Sequence, residues 1–579
     1  MKSSRRQCSS ASPSGPLMVG VCINFMVVIL LAGDLVPSVN ESHYLPKSKH
    51  AWDTSFAPGD LFLESHNSHF VASLFAGLLA RVFPLLGVAW VGRLLSWLFL
   101  AYSWHRLSHS IGISRFLSPF LLAAFYFAVY YGHWAGEWAI GGFEAKSVAY
   151  PAVFLAIASV LNSNWPNAWL WTGFSVAWHP IVGGWAGISL MGVWLRQHYF
   201  TSPGKAGSPV RADSLGKADS LGKAEIRAML GGLLLAAVGI LPAAAGLGGP
   251  SQRGKVVASQ VHVYFRLAHH QSPTLFAKER HLAALVTMAV FAGSVVVSRR
   301  VCAEKQRSLP VEQSLSRALV MQSIAWFAVA FALVGLTIDL ILSPTYPGIA
   351  SWLLRFYWFR WSDIAVPLAW TLTVGALLDT YWFHAKQNGR VLSAKAALTA
   401  AILVSILVVG SIGRVKSHLT QRVPLADELL LESPIVHEIV SDRLTDWQAV
   451  CQWIKENTPS DSLWLTPKHQ QTFKWYAGRA EVVCWKDVPQ NSAAVLEWYE
   501  RIIKSAQPRT EQGYLRDWRT DELLNLSAEY GFRWVLIDRT LQRSPPSLEI
   551  LYPIEVENRS FAVFRIPEQM VPTRPSQVE

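Results

Sequence analysis

The sequence predicts an α-helical polytopic membrane protein of about eleven spans, ending in a C-terminal extracytoplasmic α/β domain. Three observations carry that expectation. Charged residues are only 16% of the 579 and hydrophobic ones 51%, where a soluble globular chain carries about 25% charged residues. The deficit is concentrated in long apolar runs, several bounded by Trp, a residue that anchors segment ends at membrane interfaces. After residue 413 the long runs stop and a mixed helix and strand pattern begins. The net charge of +12 is explained first by Lys and Arg in cytoplasmic loops. The partner expected is therefore a lipid bilayer and not nucleic acid.

A basic tail, residues 1–16 with "MKSSRRQ" at its start, leads into "LMVGVCINFMVVILLAG". This run exceeds the roughly 7–15 apolar residues of a signal peptide and lacks an A-x-A site, so it reads as an uncleaved first span. Further spans are predicted at 85–103, 116–131, 147–162, 165–179, 180–195, 228–247, 281–298, 318–341, 362–381 and 394–413. Several are shorter than the ~20 residues of a straight crossing. Together they make a transmembrane domain over 17–413.

Charge sets the expected orientation. With the N-terminus inside, the inner segments 1–16, 104–115, 196–227, 299–317 and 382–395 carry 19 Lys and Arg against five acidic residues. The first outer loop, 34–69, carries five acidic residues and two lysines, which is the asymmetry of the positive-inside rule. The outer loop 248–280 breaks the pattern with Arg253, Lys255, Arg266, Lys278 and Arg280. The inner segment 196–227 holds the tandem "ADSLGKADSLGKA", a Ser/Gly/Lys composition that reads as a flexible cytoplasmic linker. The expected location is a cytoplasmic (inner) membrane, with the C-terminal domain outside.

Residues 414–579 suffice for one small α/β domain. "DWQAVCQWIKENTPSDSLWLTP" reads as a helix and a short strand, "AAVLEWYERIIKSA" as a helix, "FRWVLIDR" as a strand and "IEVENRSFAVFRI" as a final hairpin. Cys451 and Cys484 share this domain; two unpaired thiols are expected there, with pairing as the alternative in an exported domain.

With this orientation, polar groups from four outer loops share one face. "WDTSFAPGDLFLESHNSHF" offers Asp53 and Asp60, "GHWAGEWAIGGFEAK" offers Glu144 and Lys146, "AWHPIVGGW" offers His179, and "LLRFYWFRWSD" offers Arg355 and Arg360. Each has a plainer reading: a helix-end anchor for the Glu-x-Lys pair, a turn histidine before Pro180, cations snorkelling among aromatics, a solvated acidic loop. Glu144 and Lys146, two apart on a helix, are expected to point away from each other. His105 and His109 have helical ligand spacing but no third ligand, so no metal site is assigned. No Walker loop or dinucleotide fingerprint is visible and no cofactor is implied; a divalent metal is left open.

The layout resembles type-C glycosyltransferases, multi-pass proteins with an acidic catalytic residue in the first outer loop and often an exported C-terminal domain. "GGFEAKSVAY", "WHPIVGGW", "RFYWFRWSD" and "DWQAVCQWIKENTPSDSLWLTP" also resemble, over most of the chain, an uncharacterised family of bacterial membrane proteins defined only as a domain of unknown function. The first resemblance implies sugar transfer from a polyprenyl-phosphate donor to an extracytoplasmic acceptor. Asp53 or Asp60 would match the catalytic carboxylate, with Glu144 and His179 beside it, and Lys146, Arg355 and Arg360 would meet the lipid phosphate. Asp53 and Asp60 lie seven apart, without the adjacent acidic pair of many members. Two other classes remain open: a transporter or lipid flippase, and a non-enzymatic scaffold whose exported domain binds a partner.

Overall fold

The computed structural model describes residues 14–200, 222–248, 251–303, 309–387, 394–428, 437–511, 513, 515–542, 544–554 and 557–570. Most of the basic tail, all but the last three residues of the tandem repeat, and residues 571–579 fall outside that set.

The chain is mostly helical. Five described helices are long and apolar enough to cross a membrane: Leu85–Ile111, Lys223–Ala245, Lys278–Ala303, Glu312–Thr345 and Arg360–Trp382. Among the described residues the eleven expected spans are not found. The apolar segments at Phe70–Ala80, Ser118–Gly132, Ala145–Leu161, Trp165–Trp178 and Pro180–Leu195 form helices of only 11 to 17 residues. At ~1.5 Å per residue these fall short of a ~30 Å hydrocarbon core. Ala145–Leu161 also owes its apolarity to protein neighbours rather than to lipid, because all but one of its residues are buried. Close packing is helped by small residues: a Cβ on Gly173 would sit 2.2 Å from the carbonyl oxygen of Gly232, so the helices Trp165–Trp178 and Lys223–Ala245 meet backbone to backbone.

Two ion pairs tie the first loop and its flank to the helical bundle. Arg93, fully buried in Leu85–Ile111, donates from Nε and Nη2 to the two carboxylate oxygens of Glu41, 2.7 Å each. Arg414 bonds Asp34 at 2.9 Å, on a helix, Ala394–Thr420, that runs past the expected domain boundary at 413.

The C-terminal region builds a five-stranded mixed sheet from β1 (Leu463–Leu465), β2 (Ala480–Glu481), β3 (Trp534–Asp538), β4 (Glu549–Tyr552) and β5 (Phe561–Arg565), in the order β2-β1-β3-β5-β4. β1 runs parallel to β2 and β3, and β5 is antiparallel to both β3 and β4. The helices His437–Asn457, Ser492–Lys504 and Thr520–Tyr530 accompany it. Trp447, Trp464, Phe473 and Phe561 pack one core cluster, and Trp498, Phe532 and Ile566 another. The first arm of the final hairpin lies at 549–552, upstream of the segment read as strand from sequence. Cys451 and Cys484 are buried free thiols.

The first loop, expected as an outer segment, folds into the helices Glu41–His50 and Leu61–Glu64 and docks on this domain. Lys474 Nζ lies 3.2 Å from Asp60, 2.6 Å from Glu481 and 2.6 Å from Asp487, all buried. His43 Nδ1 completes the cluster at 2.6 Å from Asp487. Buried charges persist only when paired, so this cluster fixes how the domain seats.

Candidate functional site

Where the helical bundle meets the α/β domain lies a cavity of about 580 Å³. Glu144, Lys146, His179 and Arg360 line it. Asp53, Asp60 and Arg355 do not.

Glu144 is not inside a helix but is the extended residue (φ −154°, ψ 177°) that precedes Ala145–Leu161. Its backbone N–H donates to Ser147 Oγ at 3.3 Å. That bend overturns the expectation that Glu144 and Lys146 diverge, since Lys146 Nζ lies 3.3 Å from Glu144 Oε1. Lys146 also reaches 2.6 Å from Glu137 Oε1 and sits 4.1 Å from the centre of the Trp138 ring. Arg360 approaches the other Glu137 oxygen at 3.1 Å. Burial alone would raise the Glu137 carboxyl, but Lys146 and Arg360 outweigh it and hold the group below its ordinary range.

The loop carrying Glu137 is fastened from behind. Asp363, in the first turn of the helix Arg360–Gln387, accepts from the backbone N–H groups of Trp134, Ala135 and Glu137 at 2.8, 2.9 and 3.2 Å. Gly136 takes φ +76° there, and a Cβ would meet the His270 ring at 2.9 Å, so only glycine fits. Tyr357, also in the left-handed region (φ +56°), places its ring 3.6 Å beneath the Arg360 guanidinium. A non-glycine residue held there stores strain of the kind that clusters at functional sites.

The α/β domain completes the wall. Lys486 Nζ donates to Asn40 Oδ1 at 2.8 Å, and Asn40 Nδ2 donates to both Glu144 oxygens at 3.1 Å. Three modules thus meet in one chain of hydrogen bonds. Burial, then neighbouring Arg266, lowers the Lys486 ammonium to about 8. Arg266 donates from Nε to the Trp485 carbonyl at 2.8 Å.

The wall is also rich in imidazoles: His43, His179, His262, His269, His270 and His469. Burial lowers His43 to about 4, His262 to about 3 and His269 to about 4, so these three are neutral hydrogen-bonding groups at pH 7. His179 Nδ1 accepts from the Val182 N–H at 3.3 Å, which leaves the proton on Nε2. Four cations, Lys146, Arg266, Arg360 and Lys486, therefore face a single lining carboxylate, Glu144. That arrangement suits an anion carrying hydroxyl groups.

Asp60 is committed elsewhere. Its side chain caps Leu61–Glu64 by accepting from Phe62 N and Leu63 N and joins the Lys474 cluster. Asp53 is exposed and accepts from Ser55 N at 3.1 Å. Arg355 is half-buried, and its carbonyl accepts from Gln271. The described residues contain one group with metal-ligand spacing, Glu481, Cys484 and Asp487; the Lys474 ammonium already lies 2.6 Å from both carboxylates, which supplies the compensating charge a cation would bring.

The domain of unknown function DUF6798 matches residues 445–504. Likeness to an uncharacterised family is thus shown over about a tenth of the chain rather than most of it. The matched stretch contains Lys474, Lys486 and the loop 466–471. No curated protein matches the chain.

Proposed function

We propose that this is a glycosyltransferase-like protein of a bacterial inner membrane, transferring a sugar from a polyprenyl-phosphate donor to an extracytoplasmic acceptor. The observation that supports it is the ring of Lys146, Arg266, Arg360 and Lys486 around the one carboxylate of Glu144, at the end of the apolar helices and beneath the α/β domain. In this reading the N-terminus is inside and the C-terminal domain outside, in keeping with the basic inner segments.

Glu144 takes the proton of the acceptor hydroxyl as its oxygen attacks the sugar's anomeric carbon. The bond from that carbon to the phosphate oxygen breaks, and the electron pair leaves with the lipid phosphate. Lys146 and Arg360 stabilise the charge gained there, while Glu137 keeps both cations in register. His179 Nε2–H donates to a sugar hydroxyl. Asp60 has no part in this scheme, because its carboxylate caps a helix and neutralises Lys474.

The test uses the purified chain in lipid nanodiscs with a polyprenyl-phosphate-linked sugar. Wild type should retain the donor, and a Lys146→Met/Arg360→Met variant should lose roughly tenfold or more in affinity. Glu144→Gln should keep donor binding and lose transfer. Equal retention by wild type and the double variant would sink the proposal. Retention by wild type with no transfer to any acceptor would favour a lipid-phosphate carrier.

A further inference from the structure

We propose that the cavity between the bundle and the sheet is built for a diphosphate, a ligand with two linked anionic groups, and not for a monophosphate. As a statement about the donor this rests on the glycosyl-transfer reading; the binding itself can be measured without any transfer.

The four lining cations form two pairs in different circumstances. Lys146 and Arg360 already meet carboxylates: Glu137 lies 2.6 Å from the first and 3.1 Å from the second, and Glu144 lies 3.3 Å from Lys146. Arg266 and Lys486 meet none. Arg266 donates to the Trp485 and Lys486 carbonyls at 2.8 and 3.5 Å, and Lys486 Nζ donates to the amide oxygen of Asn40 at 2.8 Å. The neighbouring Asp487 is committed to Lys474 and His43. Among the described residues neither cation has a carboxylate within ion-pair distance, although the Arg266 side chain is only 8% exposed. Burial and the adjacent Arg266 guanidinium hold the Lys486 ammonium down at about 8, as expected for two cations pressed together. A buried charge persists only when it is compensated, so this pair asks for an anion from outside the chain.

Charge then decides between one phosphate and two. Four cations against Glu137 and Glu144 leave two positive charges unmet. A monophosphate joining a sugar to a lipid carries one negative charge at pH 7, and the corresponding diphosphate carries two. The layout agrees. Asn40 alone spans the two pairs, accepting from Lys486 and donating to Glu144, which touches Lys146. A single phosphate reaches one pair; two phosphorus centres sharing an oxygen reach both. The basic outer loop 248–280 thereby gains a use, because it supplies Arg266 to a cavity of about 580 Å³.

Isothermal titration calorimetry on the full chain, in zwitterionic detergent and metal-free buffer at pH 7, tests this with inorganic phosphate and pyrophosphate. Phosphate should settle on Arg266 and Lys486, whose charge is unmet. Pyrophosphate should bind about tenfold more tightly or better, by also reaching Lys146 and Arg360. Arg266→Gln should weaken both ions. Lys146→Met and Arg360→Met each leave Glu137 one cation. They should hold phosphate binding within about twofold and cut the pyrophosphate advantage severalfold, with thermal unfolding recorded for every variant. An advantage under about twofold in wild type, or unchanged binding of both ions in folded Arg266→Gln, would overturn the site. Equal weakening of phosphate and pyrophosphate in whichever of Lys146→Met and Arg360→Met folds would also overturn it, by showing a diffuse attraction. A pyrophosphate preference without glycosyl transfer would remove the transfer reading and leave the diphosphate site; transfer from a monophosphate donor without that preference would do the reverse.

Discussion

Lys146 Nζ lies 2.6 Å from Glu137 Oε1, with the two side chains only 6% and 0% exposed. Removing one partner of a buried pair strands the other, at a cost of about 3–5 kcal/mol. Lys146→Met should therefore lower stability even though Arg360 remains beside Glu137, by about 3 kcal/mol. The double variant Glu137→Gln/Lys146→Met should recover part of that loss. Chemical denaturation of the four proteins in detergent checks this; a double variant no better than Lys146→Met would remove the coupling.

The Lys474 cluster predicts a different failure. Lys474→Met leaves Asp60, Glu481 and Asp487 buried together without their cation. The C-terminal domain should come away from the first loop while remaining folded. Limited proteolysis of the chain should then accelerate by an order of magnitude or more, as a ~3 kcal/mol loss allows. The exposed pair Lys504–Glu500 (41% and 54%) is the control: Lys504→Met should change stability by no more than about 0.5 kcal/mol. Equal proteolysis rates for wild type and Lys474→Met would count against the cluster as a latch.

Lys486 gives the site a pH dependence. Burial and Arg266 bring its ammonium from 10.5 to about 8. Its charge is present below that value and lost as pH rises through it, so anion binding should weaken between about pH 7 and 9. Sulfate is the probe, because its own charge is constant across this window. In Lys486→Arg the decline should disappear, since guanidinium stays charged. Persistence of the decline in that variant would assign it to another group.

Orientation is tested separately. A reporter active only in the cytoplasm, fused after residue 579, should be silent. Strong signal would place the cation-rich cavity on the inner side and remove the extracytoplasmic acceptor.

How much of this could be read from the sequence depended on distance along the chain. Glu144, Lys146, His179 and Arg360 stood out because each is a charged or titratable group at the edge of an apolar run. Glu137 lies in the same quoted stretch as Glu144, yet nothing marks it apart from its glycine and tryptophan neighbours. Its importance comes from Arg360, more than 200 positions away. Asn40 and Lys486 are separated by 446 residues, and no periodicity reports such a contact. Arg266 could be noticed only as one of several cations in an oddly basic loop. Asp53 and Asp60 could not be told apart in the sequence, because a run of acids does not say which of them stays exposed, as Asp53 does, and which is taken up by a helix cap and an ion pair, as Asp60 is. Span counting failed for a related reason. Hydropathy does not distinguish a helix facing lipid from one such as Ala145–Leu161, which is surrounded by protein.

The wall containing Lys486 has a bearing on biosynthesis. Ribosomes deliver the chain from the N-terminus, so the segments bearing Glu144, Lys146, Arg266 and Arg360 are made before His469 and Lys486. Until the sheet has folded and settled on the helix Glu41–His50, the nascent protein is an open bowl without its lid. Three of the cavity's four cations are thus in place before the fourth, Lys486, and the wall that carries it arrive with the last-made fifth of the polypeptide, so the cavity is closed over only when synthesis is nearly complete.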